Sequence, residues 1–440
     1  MASHRKLIFA KVNGDFLSIV LGAGLTGLSY AYGEIKKKNS SVIIFEESKE
    51  IGGLMRTFDF NGFLFDFAPH IFRSKDEKIM EFTKNLLSHN HHHVSSNPAI
   101  FKRNQFFENV IPSITYKNLE KLPSEIKEKV TKELENPHAK MDLSNFKDCI
   151  VSQIGETLYW EFFGEYSKKW WGIDPKNLSS DLAPKNLAIN RVKSYGHITT
   201  DFERLSDEIY PTKGGIFEIA KALEGSVKNL GGKIVANSKV KGLEYDGDEI
   251  TRLIIEKEGE ETEINLNKGL IISTIPLTSL CEMLKIKNDL TYRGDICIFL
   301  KLNGKKMFDS SWIYFHDSDI IFSRIYEPLY YGEYHAPKGY TSFCVEVTCF
   351  QNDSYWNDAY LGEKVIQQLV DLGVIKESQE PAVLGVEKYG YAYPIYAVDY
   401  KQKLKEVFDK LNSFKNLKVI GRTGSFSYLN MWECLKWAVY

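Results

Sequence analysis

The 440-residue chain predicts an α/β fold in which a parallel-sheet domain is interleaved with a mainly helical insertion and an antiparallel β-sheet region. Three observations predict it. A short apolar run, Ile19–Leu21, turns sharply through Gly22 and Gly24 into an apolar, small-residue segment. A second apolar run, Val42–Phe45, follows at the distance expected of a strand–helix–strand unit and ends on Glu46. Beyond the middle of the chain, 293–350 is dense in short strand-like runs, while 269–276 and 417–422 each read as a strand returning to the first domain. No internal repeat or low-complexity linker occurs, so the domains are expected to be interleaved rather than strung in sequence. The boundaries expected are 15–93, 210–290 and 381–440 for the three pieces of the first domain. The helical region is expected at 94–209 and the antiparallel sheet at 291–380.

The first unit carries Gly22-x-Gly24-x-x-Gly27, with Leu25 and Thr26 in the turn. Gly22 permits the tight turn, Gly24 lets the backbone approach a pyrophosphate, and Gly27 lets a helix beginning near it pack on the strand. The helix N-terminus offers free N–H groups and a positive dipole end. Glu46 stands nineteen residues after Gly27, where a carboxylate can hold both hydroxyls of an adenosine ribose. Glu47 reads as an exposed loop charge. Ile51-Gly-Gly-Leu-Met-Arg-Thr57 comes next. Gly52 and Gly53 give a backbone that can lie flat on a cofactor, and Arg56 can reach a phosphate or the polar edge of a flavin. A glycine pair at that point suggests FAD rather than NAD. The apolar stretch Phe63–Phe72 reads as a strand that delivers His70 just after Pro69. His89, His91, His92 and His93 lack the spacing of metal ligands and read as a loop, so no metal is expected.

Composition narrows the partners. The net charge is −2 and 43% of residues are hydrophobic, which implies a large core and no basic face for nucleic acid. The six cysteines form no CxxC pair and read as reduced thiols of a cytoplasmic protein. No apolar run reaches the ~20 residues that span a bilayer, and Leu7–Ala10 is too short for the core of a signal peptide. A homodimer is one assembly open to such a chain.

Residues 1–17 read as a ragged lead-in. Lys117–Glu135 reads as a solvated helical face, and Phe146–Gly164 as a helix leading into Tyr166-Ser-Lys-Lys-Trp-Trp-Gly172. One of the two tryptophans, Trp170 or Trp171, is free to stack on a ring. A helix is expected from Tyr210-Pro-Thr-Lys-Gly-Gly-Ile-Phe217 through Leu230, a strand at Lys233–Ala236, and a hairpin over Glu249–Glu256 and Glu261–Leu266 with its turn near Gly259. Strands are expected at Asp295–Leu302, Trp312–Phe315, Ile320–Ile325 and Thr341–Cys349, then a helix over Tyr355–Leu372. In Phe322-Ser-Arg-Ile-Tyr-Glu327, Arg324 and Glu327 read most simply as an exposed ion pair. The last element is a strand from Leu417, a turn at Gly421-Arg422, and a helix start. Its N–H groups can hold the ribityl and pyrimidine end of a flavin, with Arg422 on a phosphate.

With these segments in hand, the chain resembles the flavin-containing amine oxidase and protoporphyrinogen oxidase superfamily, and within it the UDP-galactopyranose mutases. Gly22-x-Gly24-x-x-Gly27 with Glu46, then Gly52-Gly53-x-x-Arg56-Thr57, is similar to the superfamily pattern, whose FAD-binding domain is of the GR2 type. Pro69-His70-Ile71-Phe72 resembles the mutases' "AHIF", and Tyr166–Pro175 their "YTxKxWGxDP", matching at Lys168 or Lys169, Trp171 and Gly172. Ser323–Glu327 resembles "TRIxE", Tyr393-Pro394 resembles "YYP", and Gly421–Met431 resembles "GRLGxYxYxNM". The chain departs from the mutases at Arg73, where they have a second histidine, at Trp432, where they have an acid, and over 183–215, where Asn190-Arg191 and Lys213-Gly-Gly215 stand closer to the oxidases.

The resemblance implies FAD held by Gly22, Gly24, Leu25, Thr26, Gly27, Glu46, Gly53, Arg56, Gly421, Arg422, Asn430 and Met431. It implies a nucleotide-sugar substrate met by Trp171, Arg191, Arg324, Tyr393 and Tyr428, with Arg324 and Tyr428 at the diphosphate and His70 shaping the flavin face. The reaction so implied is ring-size isomerisation through a flavin N5 adduct, in the synthesis of cell-surface glycan precursors. Two other readings stand beside it: an FAD-dependent oxidoreductase of the amine oxidase or protoporphyrinogen oxidase type, and a flavin fold kept as a binding module.

Overall fold

The computed structural model describes residues 6–7, 17–38, 40–111, 113–135, 143–184, 187–189, 207–266 and 269–440. A five-stranded parallel sheet lies in the order Lys233–Val235, Ser41–Phe45, Leu17–Leu21, Leu270–Ser273, Leu417–Val419. The three central strands are continuous apolar runs because both faces are covered. All five run the same way, so Gly22, Glu46, Thr274 and Gly421 gather at one edge, where ligands of such sheets bind.

The helix after the first strand, Leu25–Lys38, begins two residues before the expected Gly27. Its Gly33 touches the C-terminal helix Met431–Val439, where a Cβ would stand 2.0 Å from the Trp437 carbonyl oxygen. The two helices therefore meet backbone to backbone, and the Ala438 N–H donates to Ser29 Oγ at 3.0 Å.

A seven-stranded sheet faces this domain in the order Ala382–Pro394, Tyr292–Asn303, Tyr340–Cys349, Arg324–Tyr326, Ile313–Phe315, Ala99–Lys102, Gln105–Glu108. Its pairs are antiparallel except Ile313–Phe315 with Ala99–Lys102. The region expected to be mainly helical thus contributes two strands to this sheet and a buried helical cluster, Phe146–Ile154, Glu156–Tyr159 and Glu165–Trp171. A third sheet, Lys6–Leu7, Glu260–Asn265, Glu249–Lys257, Lys239–Asp246, contains the expected hairpin.

Several local expectations are corrected. The lead-in supplies an edge strand, Lys6–Leu7, beside Thr262 and Glu263. Phe63–Phe72 is two strands, Phe63–Asp66 and Phe72–Ser74, because Ala68 takes φ 65° and Pro69 follows. His92–His93 is a short strand paired with Ile209 and Tyr210 rather than a loop. Lys117–Glu135 is two helices, Tyr116–Glu120 and Ser124–Glu135, divided at Pro123. Strand pairing begins at Arg324, not Ile320. The Tyr355–Leu372 helix starts at Leu361 after a turn at Ser354–Asn357. After Gly421 no helix forms until Met431.

Candidate active site

One cavity of about 840 Å³ runs from the carboxyl edge of the parallel sheet to the face of the seven-stranded sheet. At its first end the Glu46 carboxylate closes the glycine turn, accepting from the Ala23 N–H at 2.7 Å and the Ser48 N–H at 2.9 Å. Both oxygens keep lone pairs for further donors. Gly22 sits at φ 97°, a conformation that suits glycine. A Cβ on Gly24 would meet nothing within 4 Å, whereas one on Gly27 would stand 2.0 Å from the Gly22 carbonyl oxygen. Gly24 therefore opens onto the cavity and Gly27 packs helix on strand. The open glycine backbone, the helix N-terminus with no acidic residue in its first turn, and Glu46 together form a cradle that fits a dinucleotide.

The middle of the cavity is lined by Gly52–Arg56 on one side and Thr274–Pro276 on the other. Gly52 (φ 104°) has no room for a side chain, since a Cβ would lie 2.8 Å from the Phe217 ring. Arg56 donates from Nε to the Gly53 carbonyl at 3.3 Å and lies over Phe58.

The far end gathers His70, Asp295, Arg324, Tyr393 and Tyr428. Burial holds His70 down to about 4, so the ring is neutral at physiological pH; its Nδ1 lies 3.1 Å from the Ala68 carbonyl oxygen. Arg324 is not paired with Glu327. Its Nε and Nη2 donate to the two oxygens of Glu346, each at 2.6 Å, and its guanidinium lies over Trp170 at 5.0 Å. Burial opposes that charge and the Glu346 carboxylate more than offsets it, so Arg324 stays protonated. Glu327 instead accepts from the Met307 and Phe308 N–H groups and the Thr341 hydroxyl.

Arg422 donates to the Ala392 carbonyl from Nε and Nη2 and to the Leu429 carbonyl from Nη1. It thereby braces the Tyr428 ring, 4.1 Å away, which also stacks on Tyr393. Tyr428 is 42% exposed and Tyr393 is buried. Asn430 caps the last helix through Glu433, and with Met431 it lines the cavity.

Of the residues singled out in the sequence, Gly27, Gly421 and Trp171 stand off the cavity wall. A Cβ on Gly421 would meet the Thr26 side chain at 2.8 Å. Trp171 is buried and packs edge-on behind Tyr393 and Tyr428. Arg191 lies outside the described residues. Sequence reasoning missed Asp295 and Glu346, although each is a lone carboxyl inside an apolar strand, a pattern that marks a buried charge. Among the described residues, no group of His, Cys, Asp and Glu could hold a metal ion and no helix is long and apolar enough to cross a membrane. None of the six cysteines, all among the described residues, is in a disulfide.

Residues 25–389 match the family model described as flavin containing amine oxidoreductase. The chain belongs to that family. Among solved structures, reduced UDP-galactopyranose mutase is 20% identical over 97% of this chain and 94% of its own, with a TM-score of 0.77. A protein from an Exiguobacterium species, provisionally described as a protoporphyrinogen oxidase, is 12% identical over 97% of each chain, with a TM-score of 0.73. A fatty acid isomerase of P. acnes that produces CLA is 14% identical over 97% of this chain and 98% of its own, with a TM-score of 0.61. As a member of this flavoenzyme family, the chain has a cavity whose glycine turn, Glu46 and Gly52–Arg56 wall fit a flavin dinucleotide.

Proposed function

We propose that the protein is an FAD-dependent enzyme that isomerises the ring of a nucleotide-activated sugar, in the supply of cell-surface glycan precursors. One observation carries this reading. His70, Arg324, Tyr393 and Tyr428 come from four separate stretches that each resemble a mutase segment, and all four line the end of the cavity away from the dinucleotide cradle. Reduced FAD, when bound, would supply the electron pair that displaces the nucleotide diphosphate from the anomeric carbon. The chain's own share is placement and charge. Glu46 and the turn at Gly22–Thr26 hold the adenosine and pyrophosphate, and Arg56 the dinucleotide's polar edge. Arg324 and the Tyr428 hydroxyl face the substrate diphosphate. Neutral His70 presents an uncharged face to the flavin.

A second reading, an FAD-dependent oxidoreductase, is favoured by a different observation: Arg324 is already matched by Glu346, so this end of the cavity also suits an uncharged reacting group. Anaerobic incubation with a panel of nucleotide sugars, with flavin first oxidised and then reduced by dithionite, separates the two. Isomerisation only with reduced flavin is the outcome expected. Bleaching of oxidised flavin by a substrate, with an oxidised product, would establish the second reading instead. Arg324→Ala is expected to weaken nucleotide-sugar binding at least tenfold, about 1.4 kcal/mol, and unchanged affinity across the panel would remove Arg324 from the diphosphate.

A further inference from the structure

The wall behind Arg324 is made by three neighbouring strands. Arg324 stands opposite Glu346, and Glu346 stands opposite Cys297 on the next strand, two positions along from Asp295. Alternate residues of a strand share a face, so Arg324, Glu346, Cys297 and Asp295 form one continuous surface. Asp295 is 1% exposed and Glu346 is 0% exposed. Among the described residues no side-chain donor is paired with either carboxyl oxygen of Asp295, and the backbone N–H of Ile296 is the group beside it that favours the charged form. An ionised carboxylate with so little support is costly in such a place.

Among the described residues, the other groups facing Asp295 offer no second cation. Tyr389 stands opposite it on the neighbouring strand with Tyr393 further along, Cys297 and Cys344 sit beside it, and Cys349 is further along; all are neutral thiols or phenols held up by burial. Arg293 is engaged by Asp353 and by the carbonyls of Lys169, Trp170 and Thr348. One guanidinium therefore faces two carboxyls. Burial first, and then the charge of Glu346, push the Asp295 carboxyl well above its ordinary range.

We propose that Asp295 and Glu346 share one proton, so that Arg324, Glu346 and Asp295 form a net-neutral unit in the cavity wall. Asp295 is then a positioning residue that holds the Arg324 guanidinium to the cavity through Glu346. The unit is a property of the wall and stands under either reading of the reaction.

Infrared spectroscopy of the FAD-loaded protein at neutral pH tests it. The carbonyl stretch of a protonated carboxyl group is expected in the unaltered protein and absent from Asp295→Asn, whose amide still donates to Glu346 and whose fold and flavin are kept. In Glu346→Gln the carboxylate that draws on the Asp295 proton is gone, so the same band is expected to shift or vanish although Asp295 is present. No band sensitive to Asp295→Asn would overturn the proposal, as would a band that Glu346→Gln leaves unchanged in position and strength. Should Glu346→Gln not fold, the first comparison still decides. A thermal scan gives a second check at neutral pH. A carboxyl held protonated in the fold but ionised in the unfolded chain costs stability there, so Asp295→Asn is expected to melt no lower than the unaltered protein. A clearly lower melting temperature would mean that the charged form is the native one.

Discussion

Gly24 and Gly27 are three positions apart on one turn, yet side chains there have opposite consequences. A Cβ on Gly24 projects into the cavity, and one on Gly27 collides with the Gly22 carbonyl. Gly24→Val is therefore expected to fold but purify without flavin, melting like the flavin-stripped protein; a yellow, stoichiometric variant would remove the dinucleotide from this turn. Gly27→Val is expected to lose at least ~3 kcal/mol of stability through overpacking against backbone, read as a shifted urea midpoint. The separate tasks of these glycines were legible in the sequence because a strand–turn–helix leaves little freedom in where each backbone atom goes. The partner of Arg324 was not legible. Glu327 is three residues away in sequence and Glu346 is on the neighbouring strand, so only strand pairing decides between them.

At the scale of an element, the helix Glu165–Trp171 shows how much the cavity depends on residues outside it. Its Trp170 lies under Arg324, and Trp171 backs Tyr393 and Tyr428. The helix is moored by Lys169, whose Nζ donates to the carbonyls of Phe315, Asp317, Ile320 and Phe322 at 2.6 to 3.2 Å. Burial pushes this ammonium down to about 7, and the charges of Asp317, Asp319 and Glu165 oppose that. Lys169→Met keeps the volume and leaves those acceptors unpaired, at about 1–3 kcal/mol for each that water cannot reach. The expected result is a loss of ~3 kcal/mol or more by urea unfolding, with near-ultraviolet circular dichroism reporting displaced tryptophans; an unchanged midpoint would mean that the carbonyls find water.

From the sequence motif, Lys168 and Lys169 were equivalent, because burial of one lysine is a tertiary fact. The same limit hid the strand Ala382–Pro394. Two glycines, Gly385 and Gly390, interrupt its pattern of side chains, and the missing Cβ at Gly385 makes room for the Phe60 ring, 2.5 Å from where that atom would be. The parallel sheet, by contrast, was readable because doubly covered strands carry unbroken apolar runs.

For the molecule as a whole, a buried polar knot joins distant parts of the chain and makes its stability depend on pH. Asp66 accepts from the Thr57 hydroxyl at 2.5 Å, the Tyr210 hydroxyl at 2.6 Å and the Ile216 N–H at 3.1 Å, and His335 Nε2 lies 3.2 Å from the same Tyr210 oxygen. Burial raises Asp66 to about 6 and lowers His335 to about 4. The two act with opposite sign. Between about 4 and 6.5 the unfolded chain protonates His335 and the fold does not, so this group's contribution is lost as pH falls. Between about 4 and 6 the fold keeps a proton on Asp66 that the unfolded chain releases, so this group's contribution is lost as pH rises. Each proton changes the slope of stability by about 1.4 kcal/mol per pH unit. Asp66→Asn is therefore expected to steepen the loss of stability on acidification across that window by about this amount, and His335→Asn to flatten it by about the same. Urea midpoints of the flavin-loaded variants at pH 4.5, 5.0, 5.5 and 6.0, about the window those two groups define, measure both slopes. Slopes that move together, or not at all, would show that Asp66 and His335 keep their ordinary protonation behaviour inside the fold.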